Sequence, residues 1–317
     1  MNATFLKASQ KIKDTTPLAG DAGNRSYSRV KYEGSDKNFI LCNYPDKDFE
    51  QLQNFIDVYT LLDQNGVLTP KVIESSKKQM LLEDLGDLSL EDFFKSGGTP
   101  YSAALAQLIQ IQKIPLVGSS KAQSFSFTVE KFVWEMNFTL KHFSQLLQLN
   151  LDAKQTAALQ QDFQNLCTHL CTLEQVITHR DFHSRNLMIK GAQVFVIDFQ
   201  DARIGPKFYD LVSLIEDSYT VLSQPQKEHL IEEYCKNTAS TLNEDFMTNY
   251  HMQNLQRSFK ACGSFASFKN RTNNERYLQY LKPAFASLLV SCKAVAGFDS
   301  LKGFIKTSSD KWNRYAD

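Results

Sequence analysis

Hydrophobic positions change their period twice along this chain. Ser26–Tyr32 (SYSRVKY) alternates with a period of two, Glu33-Gly34-Ser35-Asp36 supplies a turn, and Asn38–Cys42 is the apolar partner strand of a hairpin. Residues 1–16 are polar and are read as a short helix or a frayed end. From Glu50 to Asn65 the period becomes helical, with Phe55, Val58, Tyr59 and Leu62 on one face, Gly66 as a stop and Pro70 beyond it. Met80-Leu81-Leu82 is a continuous apolar run that turns polar at Glu83-Asp84, as a buried strand does on leaving a core. Ser89 then N-caps a short helix, Leu90–Phe94. Helical spacing dominates afterwards, over Ala103–Ile111, over Thr128–Leu147, and through Leu159, Phe163, Leu166 and Leu170. Two short apolar runs, Val176-Ile177 and Val194–Ile197, read as buried strands, the second preceded by the turn Lys190–Gln193. Strands first and helices later predict an α+β chain of two lobes, a small β-rich one over residues 1–83 and a larger, mostly helical one over 84–317.

Composition leaves that picture intact and narrows the partners. The chain has 317 residues, 42% of them hydrophobic and 22% charged, which is enough for two lobes and a sizeable core. Lys plus Arg and Asp plus Glu both total 35, so no global field calls for nucleic acid or an anionic membrane. Cys167 and Cys171 share a helix face, but no second pair completes a tetrahedral metal site, and the cysteines are read as free thiols of a reducing cytosol. No apolar run approaches membrane-spanning length, and the expected location is cytoplasmic.

The candidate chemistry lies in Val176–Asp217. The order His179-x-Asp181-x-x-x-x-Asn186, followed by a hydrophobic strand ending in Asp198-Phe199, is the arrangement phosphoryl transfer needs. Asp181 would orient the proton of an attacking hydroxyl, while Asn186 and Asp198, both hard oxygen ligands, would hold Mg²⁺ against nucleotide phosphates. His179 is expected to position the loop, and Asp210 to accept backbone N–H bonds and brace it. The glycine-bearing turn Gly20-Asp21-Ala22-Gly23-Asn24-Arg25 could lay backbone N–H groups over phosphates. Glu83, Asp84 and Leu85, with Gly86 to bend the chain, are the expected hinge offering backbone groups to an adenine edge; a plain strand-to-helix turn is compatible with the same residues.

With HRDFHSRN and IDFQDARIGPKFYDLVSL as they stand, the chain resembles the aminoglycoside phosphotransferase and choline kinase-like family, which shares the protein-kinase fold. Its likeness is closer to the bacterial anomeric N-acetylmuramate/N-acetylglucosamine kinases, and rests on Leu18–Ala22, Leu82–Asp87, Asp198–Ala202 and Gln256–Lys260. The resemblance implies ATP and Mg²⁺ as cofactors and a small-molecule sugar as substrate. His183 stands where protein kinases usually carry lysine, and Gly205–Leu211 replaces a long activation segment, which argues against a protein substrate. One departure concerns the strand Phe39–Asn43, which lacks the lysine most kinases of this fold use on the α and β phosphates; Arg25 and Arg29 are the candidate replacements, Arg25 the better placed.

Glu135 matches a glutamate of the amino sugar kinase pattern and could face the acceptor. Gln200, Asp201 and Arg203 lie where the acceptor pocket should open, and His183 is grouped with them. Arg257 and Lys260, three apart on one helix face, could receive a lactyl carboxylate. The expected activity is therefore ATP- and Mg²⁺-dependent phosphorylation of a sugar hydroxyl. An aminoglycoside or choline-type phosphotransferase stays open through Asp201, Glu216 and Asp217, and a catalytically silent scaffold stays open through the missing lysine.

Overall fold

The first alternating segment pairs on both sides. In the computed structural model, which describes residues 11–18, 25–45 and 48–316, Ile12–Leu18 forms β1 and pairs antiparallel with β2, Ser26–Tyr32, which pairs in turn with β3, Asn38–Asn43. The expectation of a helix or frayed end is thus corrected for residues 12–16. The segment is an edge strand, held by backbone pairing while its side chains stay largely exposed, so its polar sequence carries no period-two signal. After α1, Phe49–Gln64, the strands β4, Val72–Ser75, and β5, Gln79–Glu83, complete a five-stranded antiparallel sheet in the order β1-β2-β3-β5-β4. α1 buries Phe55, Val58 and Leu62 of the expected stripe and Leu52 besides, while Tyr59 is only partly buried.

The chain then becomes helical, through α2, Leu90–Lys95, α3, Tyr101–Gln112, α4, Lys121–Ser124, α5, Val129–Leu147, and α6, Ala153–Thr172. Ser89 accepts the backbone N–H of Asp92 and caps α2 as expected. Short strands follow: β6, Gln175–Thr178, pairs with β9, Arg203–Pro206, and between them β7, Leu187–Lys190, pairs with β8, Gln193–Val196. The C-terminal portion holds α7, Phe208–Ile215, α8, Gln224–Thr238, α9, Glu244–Thr272, α10, Leu281–Ala294, and α11, Asp299–Ala316. The result is a two-lobed α+β, kinase-like fold, a sheet-rich N-terminal part over a helical C-terminal part.

Two packing features place the site. One core cluster runs from Cys42, Leu52 and Val58 of the small lobe to Phe199 and Leu211 of the large one, and the rings of Phe55 and Phe199 lie 4.7 Å apart. α1 is thereby packed on the residue that follows Asp198. The second is the crossing of α5 and α9 at Gly263, where a Cβ would come within 2.7 Å of the Thr139 Cα. Only glycine lets these helices approach so closely, and the approach carries Glu135 and Lys260 beside the loop that follows β6.

Candidate active site

β6 ends at Thr178 and delivers a loop whose backbone is held against its own preference. Arg180 has φ +81°, a conformation costly for a side-chain-bearing residue. The compensation comes from Asp210 on α7, which accepts the N–H groups of His179 at 2.5 Å and Arg180 at 3.0 Å. Asp210 is buried, and burial pushes its carboxyl up to about 6, against the lowering effect of His179 and of the two N–H bonds. His179 Nε2 donates to the Ile197 carbonyl at 2.9 Å, while its Nδ1 accepts the Asp181 N–H at 3.3 Å. That imidazole ties the loop bearing Asp181 to the strand end that precedes Asp198.

Asn186 closes the frame. Its Nδ2 donates to the Asp181 carbonyl at 2.9 Å, and its own carbonyl accepts the Ile197 N–H at 3.0 Å. Asp198 has φ +64°, receives Gln200 Nε2 at 2.8 Å, and lies 3.9 Å from the Arg25 guanidinium. Asp181, Asn186 and Asp198 all line one cleft of ≈ 600 Å³ between the lobes. The donor set fits a hard cation: a carboxylate and an amide oxygen lining one cleft, with no cluster of three or more His, Cys, Asp or Glu among the described residues.

Towards the small lobe the cleft is apolar, lined by Leu18, Ile40, Leu82, Met188 and Ile197. Ile40 faces the cleft from β3, beside Arg29 in the β2–β3 register. The two arginines separate here. Arg29 is spent on a double ion pair, to Asp84 at 2.6 Å and Asp87 at 2.8 Å, which leaves Arg25 as the cation beside Asp198. Asp84 also accepts the Gly86 N–H, with Gly86 at φ +86°, and Glu83 pairs with Lys190 at 2.7 Å. The side chains of Glu83 and Asp84 thus serve the bend itself. Glu83, Asp84 and Leu85 all line the cleft. Gly20, Asp21, Ala22, Gly23 and Asn24 lie outside the described residues.

On the opposite side, charged groups converge in a way no short-range pattern announces. Lys260 Nζ lies 2.9 Å and Arg257 Nη2 3.7 Å from the same oxygen, Asp181 Oδ1. Burial would raise the Asp181 carboxyl, but Lys260, Arg257 and Arg180 outweigh it and hold it well below the carboxylate range. Asp181 also borders a smaller cavity of ≈ 80 Å³ shared with His183, Arg257 and Lys260. Burial pushes the His183 imidazole down to about 3, so it is neutral. Glu135, expected at the acceptor, is 2% exposed; Gln256 donates to its Oε2 at 2.9 Å and Arg180 lies 3.9 Å from its Oε1. Arg180 also faces Asp201 at 3.5 Å, and Arg203 approaches Asp201 at 3.8 Å. Gln200 and Asp201 lie at the cleft.

Sequence patterning missed Arg180, Arg185, Lys131 and Trp134. Trp134 is 56% exposed on α5, next to Glu135, with Lys131 Nζ 4.1 Å from its ring centroid. An exposed tryptophan on a helix with an otherwise good apolar stripe was the available signal. Arg185 donates to Glu91 at 2.6 Å and to the Tyr280 hydroxyl at 2.7 Å, and its guanidinium sits over the rings of Tyr219, Tyr277 and Tyr280. Glu216 and Asp217 are committed internally: Glu216 to Lys227, Tyr250 and Ser287, Asp217 to the N–H groups of Ser184 and Tyr219.

The model of the phosphotransferase enzyme family matches residues 14–244. The chain is similar to the N-acetylmuramate/N-acetylglucosamine kinase of Pseudomonas aeruginosa, 27% identical over 287 residues that span 85% of this chain and 83% of that protein. Among solved structures it is similar in fold to an ADP-bound aminoglycoside phosphotransferase (TM-score 0.59, 14% identity, 88% of this chain and 93% of that one). It is likewise similar to a choline/ethanolamine kinase family protein from Mesorhizobium loti (TM-score 0.60, 14% identity, 93% and 92%). No helix of the described residues is long and apolar enough to cross a membrane.

Proposed function

The chain belongs to the phosphotransferase enzyme family, and on that premise we propose that it transfers the γ-phosphoryl group of ATP to the anomeric hydroxyl of an N-acetylated amino sugar, N-acetylmuramate or N-acetylglucosamine. The observation that carries the reading is the frame in which His179 and Asn186 hold Asp181 and Asp198 on one cleft. Adenine takes the apolar slot between Ile40 and Met188, with the backbone of the hinge at Glu83–Leu85. Arg25 takes the place of the absent strand lysine on the phosphates. Asn186 and Asp198 are the ligands for Mg²⁺, which when bound neutralises and orients the phosphate oxygens. Both cations near Asp181 sit on Oδ1, so Oδ2 is left to accept the proton of the sugar hydroxyl. We place the boundary between nucleotide-binding and acceptor-binding parts near residue 83.

The amino sugar is favoured over a cationic acceptor by the fate of the acids that would receive one. Glu216 and Asp217 are occupied by internal partners, and Asp201 is flanked by Arg180 and Arg203. The tyrosines that could cage a quaternary ammonium already hold Arg185. Lys131, Arg180 and Arg203 suit an acceptor that carries a carboxylate, and Trp134 offers a face for a sugar ring. The resemblance to a kinase of N-acetylmuramate and N-acetylglucosamine supports the same choice. An ATP-consumption screen over N-acetylmuramate, N-acetylglucosamine, aminoglycosides and choline tests it; turnover confined to the cationic acceptors overturns it. A silent scaffold is tested by thermal shift with ATP and Mg²⁺, which would not stabilise it.

A further inference from the structure

We propose that Lys260 is the cation that meets the phosphoryl group in flight on the acceptor side of the cleft, and that Asp181 holds its ammonium there. The inference rests on the kinase reading above and adds a residue to its chemistry. Phosphoryl transfer proceeds through a loose transition state whose charge spreads over three equatorial oxygens, so the reaction demands positive charge more than a strong base.

Among the described residues that line the cleft or lie near Asp181, few cations are free to supply it. β3 presents Ile40 to the cleft, and His183 is neutral. Arg29 is held by Asp84 and Asp87, Arg180 faces Glu135 and Asp201, and Arg185 is bound by Glu91 and Tyr280. Arg257 is 7% exposed, 3.7 Å from Asp181, with its guanidinium towards the Tyr209 ring. Arg25 remains beside Asp198, and Lys260 remains beside Asp181. The transferred group must pass between these two acids, and so between these two cations.

Lys260 is built for a fixed position. It projects from the 29-residue α9 one turn before Gly263, where α9 touches α5, and the Phe259 carbonyl is anchored by Thr139 Oγ1 at 3.1 Å. An ammonium has three donors; one is spent on Asp181 Oδ1 and no second hydrogen bond of Nζ is made among the described residues, so two can turn to phosphoryl oxygens. In the step, the sugar oxygen forms its bond to the γ-phosphorus as the bond from that phosphorus to the bridging oxygen of ADP breaks. The hydroxyl proton passes to Asp181 Oδ2, and Lys260 keeps its own protons throughout.

The test compares Lys260→Met and Lys260→Arg with the wild type. With N-acetylglucosamine and N-acetylmuramate as acceptors, Lys260→Met is expected to lower kcat by about 10²–10³-fold with acceptor KM within about threefold, and Lys260→Arg to recover part of the loss. Independently of turnover, Lys260→Met should bind Mg-ADP as the wild type does, yet lose at least about tenfold in affinity for Mg-ADP with aluminium fluoride, a mimic of the planar phosphoryl group. A raised acceptor KM with kcat retained would make Lys260 a carboxylate binder, and unchanged kcat and fluoride affinity would make it structural; either result overturns the proposal. A wild type that phosphorylates neither sugar refutes the substrate reading instead, and the fluoride measurement still decides the role of Lys260.

Discussion

Asp210 Oδ2 accepts the backbone N–H of His179 at 2.5 Å, so a carboxylate on α7 holds the peptide two residues before Asp181 in place. Its burial has a consequence for pH. The folded-state value is raised from the ordinary 3.8 to about 6, so between those values the folded chain keeps a proton that the unfolded chain has lost. The contribution of Asp210 to stability is therefore highest in acid and falls as pH rises through that window, by about 3 kcal/mol in full. Asp210→Asn cannot ionise. Denaturant titrations from pH 4 to pH 7 should show the wild type losing stability relative to this variant, and a pH-independent difference would contradict the assignment. Turnover should follow the opposite course in the wild type, declining below about pH 6 as the brace is protonated.

The two acids should separate by what they do. Asp181→Asn is expected to lower kcat by at least about 10³-fold with Mg-ATP affinity within about threefold of wild type. Asp198→Ala should weaken Mg²⁺-dependent nucleotide binding at least about tenfold. Calorimetric titration of nucleotide with and without Mg²⁺ distinguishes the pair; equal effects on binding would undo the division of labour.

Arg25 and Arg29 are neighbours on the small lobe with different duties. Arg25→Ala should raise the KM for Mg-ATP by about tenfold or more, since its guanidinium lies beside Asp198. Arg29→Ala removes the clamp on Asp84 and Asp87 and should cost about 1–2 kcal/mol of stability, with a smaller effect on the nucleotide. Steady-state kinetics beside thermal melts decide it, and reversed phenotypes would exchange the roles.

Gly263→Ala tests the helix crossing. The added Cβ meets Thr139 backbone rather than a flexible chain end, so a loss of about 1–3 kcal/mol is expected, read as a lower thermal midpoint. An unaltered midpoint would mean that α5 and α9 can part without cost.

Trp134→Ala should raise the acceptor KM by about threefold to tenfold and leave the nucleotide KM alone. Initial-rate measurements with each substrate varied in turn check this, and a change in the nucleotide KM would place Trp134 elsewhere in the mechanism.

The convergence of Asp181, Asn186 and Asp198 on one cleft was legible in the sequence because the frame that holds them is local. His179, Asp181, Asn186 and Asp198 lie at the ends of short apolar runs, and the hydrogen bonds among them link residues near in the chain. The brace by Asp210 could be reasoned from a helix that opens beside the loop. What stayed hidden is mostly long-range and polar. α9 buries Gln253, Asn254, Gln256, Arg257 and Ser258, a run that reads as a solvated face until Glu135, Ser287 and Asp181 are seen to partner it. The pairing of Lys260 with Asp181 spans 79 residues, and the clamp of Arg29 on Asp84 spans 55. β1 escaped notice because an edge strand needs backbone partners and little apolar side chain, and β4 because four residues with a register shift leave almost no period to read.

The guanidinium of Arg185, lodged among Tyr219, Tyr277 and Tyr280, already occupies the aromatic faces that a quaternary ammonium would need. A free ligand there has to displace a tethered competitor whose effective concentration is set by its own side chain rather than by diffusion. Such exclusion needs no bulky gatekeeper. It also means that three aromatic faces lie behind one side chain, and that a single truncation at that position would uncover them.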